Sequence, residues 1–160
     1  APGAAKSAGG ELRFILPATE VTVHSTADRG LPGAGQGMSW PVYNGRDFSR
    51  LGNWAEYLGF FQRPAASGNF AGVYDPTQDE GMVRVYPSAV AKGVKFFAPV
   101  RIDPATWADD GSTYVEMHGG LEPTFDTWYE LGPGDEVTWA ETWYRRSAAA
   151  FAAARAPSSG

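Results

Sequence analysis

Apolar and polar residues alternate most strictly within residues 112–146, STYVEMHGGLEPTFDTWYELGPGDEVTWAETWYRR. A period of two marks a half-buried β-strand, because successive side chains leave a strand on opposite faces. In the first alternating run, Thr113, Val115 and Met117 share a face that suits a core. Tyr114, Glu116 and His118 share the other face, in two-residue steps of about 6.6 Å. A phenol, a carboxylate and an imidazole so spaced suit joint contact with one small polar ligand. Gly119-Gly120 ends that run. Leu131-Gly132-Pro133-Gly134-Asp135 reads as a turn, since Pro fixes φ and Gly accepts φ > 0. A second strand is expected over 136–146. It places Val137, Trp139, Glu141, Trp143 and Arg145 on one face, and Thr138, Ala140, Thr142 and Tyr144 on the other.

The same pattern predicts short strands over 11–16, 20–25, 69–75, 82–86 and 93–98. In the 82–86 strand, Val83 and Val85 are expected to point inward and Arg84 outward. Residues 26–38 form a long Gly-rich loop whose glycine spacing fits no phosphate-binding motif. Residues 39–44 resume strand character, with Pro41 marking an edge or a bulge. The spacing in residues 51–62 fits a helix or a strand, and Gly52 and Gly59 favour extended structure or a short turn. Residues 75–81 read as a hairpin loop. Its Asp75, Asp79 and Glu80 do not match a calcium loop, so no metal is expected. One helical turn is expected over 87–92. A short helix over 103–107 has Asp103 at its cap and Pro104 at its first position.

Composition narrows the class. The chain has 160 residues, with 20 glycines, 12 prolines and 14% aromatics. Many aromatics, many turn formers and little helical periodicity indicate an all-β sandwich or barrel. The expected division is a tail or linker over 1–10, a twisted antiparallel β-sandwich domain over 11–146, and an Ala-rich helix or linker over 147–160. The net charge of −5 argues against a nucleic-acid partner, which would favour a basic patch. No apolar run approaches the ~20 residues of a membrane helix, so no membrane insertion is expected. The chain has no cysteine, which excludes disulfides and thiolate chemistry. No cofactor motif is present.

Four segments together, SWPVYNGRDFSRLGNWAEYLGFF, DEGMVRVYPSAVAKGVKFF, YVEMHGGLEPTF and ELGPGDEVTWAETWY, resemble an uncharacterised bacterial domain family. That family is related to the galactose-mutarotase-like β-sandwich superfamily, which includes aldose epimerases. The resemblance covers roughly residues 11–146. It implies about half the usual superfamily length and a sugar-binding sheet face. Aldose epimerases carry their general base on a strand shortly before the L-x-P-G turn, and the matching position here is Glu116. The segment that bears the epimerase acid histidine has no counterpart. The nearest comparable place reads Trp40-Pro41-Val42-Tyr43-Asn44.

Sugar recognition needs aromatic faces against C–H patches and polar side chains for hydroxyl pairs. Candidate ligand-binding residues are therefore Trp40, Tyr43, Asn44, Arg46, Tyr114, Glu116, His118 and Glu141. Each has a plainer alternative. Asn44-Gly45 can be a hairpin turn with Arg46 solvated. His118 can be a structural histidine, and Glu116 an exposed strand carboxylate. Glu141, between Trp139 and Trp143, must reach solvent or pair with a cation such as Arg145 or Arg146. Three functions stay open. One is a carbohydrate-binding module, a non-catalytic part of a larger, exported or cell-surface protein. The second is an aldose epimerase-type enzyme with Glu116 as base. The third is a structural subunit of an extracellular assembly that self-associates through its terminal tails.

Overall fold

The structure, a computed structural model, describes residues 10–63 and 68–147. The 1–10 and 147–160 tails, with the C-terminal helix expected there, lie outside these apart from Gly10 and Ser147. So does the tail contact of the assembly reading.

Eleven strands occur among the described residues. In chain order they are β1 (Arg13–Ile15), β2 (Glu20–Thr26), β3 (Gly37–Ser39), β4 (Val42–Tyr43), β5 (Arg46–Asp47) and β6 (Leu58–Gln62). Then come β7 (Phe70–Asp75), β8 (Glu80–Val85), β9 (Lys95–Ala98), β10 (Glu116–His118) and β11 (Thr142–Arg146). One sheet has the order β1-β7-β8-β11, a second has β10-β9-β6-β2-β3, and β4 and β5 form a separate hairpin. Every pairing is antiparallel. The chain is thus an all-β, antiparallel sandwich, as the composition predicts.

The core fills with side chains from the facing sides of both sheets. Phe14 and Ala71 come from the four-stranded sheet; Val21, Val23, Phe60 and Phe96 come from the five-stranded one. Trp54 stacks on Phe14 with ring centroids 4.8 Å apart, and Trp40 lies 4.8 Å from Phe60. Trp40 and Trp54 are buried, whereas Trp107, Trp128, Trp139 and Trp143 are exposed, Trp128 at 90%. Residues 51–62 resolve into both expected forms. Leu51–Asn53 is a 3-10 turn that hands over to β6. The capped turn at 103–107 is present as a 3-10 turn over Pro104–Thr106, with Asp103 accepting from the Ala105 N–H.

One facing is reversed. Arg84, expected outward, is only 2% exposed, while Val83 and Val85 are half-buried on the other side of β8. Arg84 stands opposite Ala71 of β7, whose side chain is fully in the core. Its guanidinium is drawn inward by Glu141, with Nε donating to Oε2 at 2.7 Å and Nη2 to Oε1. It also lies over the Tyr86 ring at 4.7 Å. Gly119 makes room for it, because a Cβ there would occupy the place of the guanidinium. A buried arginine that cannot lose its charge needs such a carboxylate.

Candidate functional site

Two histidines and the candidate base meet on the outer face of the five-stranded sheet. Register decides this. Phe97 of β9 stands opposite Glu116, and Lys95 opposite His118. Lys95 stands also opposite Phe61 of β6, which faces Thr22 of β2, and Phe97 faces Gly59. Leu58, Phe60, Phe96 and Ala98 alternate with these and point into the core. On β2, a register shift between Val23 and Ser25 marks a bulge. His24 alternates with the inward Val21 and Val23 and so faces outward, and the bulge brings Ser25 to the same side, opposite Gly59.

The centre of the face is Lys95. Its Nζ lies 3.0 Å from Glu116 Oε1. The same ammonium sits 4.9 Å from the Phe125 ring centroid and 5.8 Å from that of Phe97. Phe125 comes from the segment after β10 and folds back over the sheet. Its ring packs edge-on against His24 at 5.0 Å, Phe61 at 4.9 Å and His118 at 5.9 Å. Thr124 and Thr127 close the small turn that presents it, the Thr127 hydroxyl donating to the Thr124 carbonyl at 3.1 Å. At the other end of the face, Trp107 lies 5.5 Å from Phe97, and Tyr114 stacks on Trp107 at 5.5 Å. Gly59, in the middle, is closely covered by its neighbours. A Cβ there would meet His24, Ser25 and Phe97 at 3.1–3.3 Å.

His24 titrates below the ordinary imidazole value. Partial burial is the main cause and the Lys95 cation the second, while Asp126 and Glu116 pull the other way. The ring is therefore neutral at pH 7, able to donate from one nitrogen and accept at the other. The face combines a fixed cation, two carboxylates, two imidazoles and several ring faces. That set can hydrogen-bond hydroxyl pairs and stack on C–H surfaces. Among the described residues, no group of three or more His, Asp or Glu could hold a metal ion.

The sequence-predicted residues fall into separate places. Glu116 and His118 stand together on this face. Tyr114 precedes β10 and joins the face through Trp107. Trp40 lies in the core, against the inward Phe60 and so on the opposite side of the sheet from Glu116. Tyr43 packs partly against that core. Asn44 and Gly45 form the two-residue β4–β5 turn, with φ of 48° and 76°. Arg46 pairs with Asp28, its guanidinium 4.4 Å over Phe48. Glu141 is engaged by Arg84 and by Trp139 Nε1 at 2.7 Å, while Arg145 pairs with Glu80 instead. His24, which alternation sets opposite Val21 and Val23 and which is the one histidine besides His118, joins Glu116 here; Lys95, Phe125 and Trp107 are the members that sequence reasoning missed. The alternation in VKFFAP could have put Lys95 and Phe97 on one face.

No family model matches the chain, and no curated protein matches it in sequence. A solved structure is similar: a TPR-domain containing protein from Parabacteroides distasonis, at 19% identity and a TM-score of 0.61. The match covers 85% of this chain and 22% of that one. At that identity the likeness concerns the fold alone.

Proposed function

We propose that the chain is a carbohydrate-binding β-sandwich module of galactose-mutarotase-like kinship, serving as a non-catalytic part of a larger protein. The observation that carries this is the Lys95–Glu116 pair, held 3.0 Å apart and flanked by His24, His118 and the rings of Phe97 and Phe125. Charged hydrogen-bonding groups beside aromatic rings, of which Phe125 is exposed, are what sugar hydroxyls and C–H faces require. Calorimetric titration and a glycan array with the 160-residue chain test it. Binding that weakens at least tenfold in Lys95→Ala is expected. No binding to any neutral or acidic glycan sinks the proposal.

A second reading is an aldose epimerase-type enzyme. It is favoured by one observation: both imidazoles share a face with Glu116. General acid–base catalysis needs two such groups within reach of one substrate. Glu116 would take the anomeric hydroxyl proton while an imidazole serves the ring oxygen. Polarimetry on fresh α-glucose and α-galactose decides it. Acceleration abolished by Glu116→Gln supports an enzyme; rates equal to buffer leave the binding module alone.

A further inference from the structure

The four-stranded sheet closes one of its edges and leaves the other open. At β1 the chain itself closes it, the Phe14 N–H donating to the Ser49 carbonyl at 2.8 Å and the Leu51 N–H to that of Leu12 at 3.0 Å. β11 has β8 on one side and no strand of the described residues on the other. The ladder fixes which of its groups face outward. The Tyr86 N–H donates to the Asn69 carbonyl at 2.9 Å, so in the next pair, Phe70 with Val85, the backbone groups turn away from each other. Val85 and Val83 thus serve β11, and their partners Thr142 and Tyr144 point back at β8. Trp143 and Arg145 alternate with these and aim their N–H and C=O groups off the sheet, where no backbone group of the described residues meets them. The side chains do not guard this edge. Natural edges are blunted by lysine, proline or bulges. β11 reads TWYRR in unbroken register with β8, and it exposes Trp143 at 49% and Tyr144 at 39% on opposite faces. Arg145 is turned back onto Glu80 of β8.

We infer that β11 is an interface between two copies of this chain, paired antiparallel about a two-fold axis at Tyr144. The strand is complementary to itself in that register. Trp143 falls opposite Arg145 of the second copy, and Arg145 opposite its Trp143. These are the residues with outward backbone groups, so each such pair exchanges two hydrogen bonds. Each indole gains an arginine as its cross-strand neighbour, a pairing in which a cation can lie over a ring. The two Tyr144 side chains meet on the other face at the axis. An axis at Arg145 would set like charges face to face, and one at Trp143 would pair a single outward residue of the strand. The two four-stranded sheets then join as one of eight strands. A contact between two five-residue strands is small, so the chain is monomeric when dilute and dimeric when concentrated. The interface lies on the other sheet from Glu116 and does not depend on what that face binds.

Sedimentation equilibrium of the 160-residue chain, from low-micromolar to submillimolar concentration, should show a reversible monomer–dimer transition. Arg145→Pro removes an outward N–H and no bond to β8, so it should weaken association at least tenfold. The chain has no cysteine, so a single introduced one reports the register. Tyr144→Cys brings two thiols to a non-hydrogen-bonded pair with Cα atoms about 4.5 Å apart, within disulfide range. Mild oxidation should convert it to a covalent dimer. Thr142→Cys should stay uncross-linked, because its two thiols would sit roughly 13 Å apart along the strands. The cysteine pair decides the matter even where Arg145→Pro does not fold. A wild-type chain that is monomeric throughout overturns the interface and leaves the edge to another segment or another protein. Dimers that a folded Arg145→Pro does not weaken place the contact elsewhere on the surface. Cross-linking of Thr142→Cys as fast as Tyr144→Cys overturns the pairing about Tyr144.

Discussion

At the residue scale, Arg84 ties the middle of the chain to the segment that leads into β11. Its partner Glu141 lies 57 residues further along. A third contact, Nη1 to the His118 carbonyl at 3.5 Å, reaches the end of β10. Removing one member of a buried pair leaves the other charged and uncompensated. Glu141→Gln is therefore expected to cost about 3 kcal/mol at pH 7, read by urea denaturation. Hydrogen bonds from Arg84 hold the Glu141 carboxyl below its ordinary value, more than burial raises it. Its folded value being the lower one, the stabilisation is complete above the unfolded value of about 4.3 and fades as pH falls through the folded one. The deficit of the variant should shrink below pH 4, and a deficit independent of pH would contradict the pairing. None of this was legible in MVRVY. Alternation separates Arg84 from Val83 and Val85 but does not say which side is the core, and the deciding carboxylate is remote. Asn44-Gly45 was legible, because a two-residue turn needing φ > 0 twice is specified locally.

At the element scale, strand lengths follow the partner rather than the pattern. Alternation runs over 112–118, yet only Glu116–His118 become strand, since those three residues have partners on β9. β11 likewise begins at Thr142, opposite Val85, where β8 ends just before Tyr86-Pro87. The segment between β10 and β11 is held by the turn before β9. The Gly93 N–H donates to the Gly120 carbonyl at 3.0 Å, and a Cβ on Gly93 would run into the Glu122 carbonyl. Backbone cannot rotate aside as a side-chain tip can. Gly93→Ala is expected to cost about 1–3 kcal/mol by overpacking. Hydrogen exchange should quicken over residues 120–127 while β2 and β6 stay protected. Uniform protection in the variant would mean that this segment, and Phe125 with it, is anchored elsewhere.

At the scale of the whole molecule, fold class was readable because it depends on composition and turn spacing, which are spread over the chain. The site was half readable. One strand carries Glu116 and His118, but Lys95, His24 and Phe125 come from other stretches, and only pairing assembles them. The same assembly sorts the six tryptophans into two inside and four outside. Under ultraviolet excitation the protein should therefore emit as two populations. Acrylamide should reach Trp107, Trp128, Trp139 and Trp143 but not Trp40 or Trp54. The native Stern–Volmer plot is expected to curve downward and to straighten in denaturant. A straight native plot would place all six indoles in one environment. A ligand held on the Glu116 face beside Trp107 would shield part of the accessible fraction alone, so the molecule carries an optical reporter beside its candidate site and needs no label.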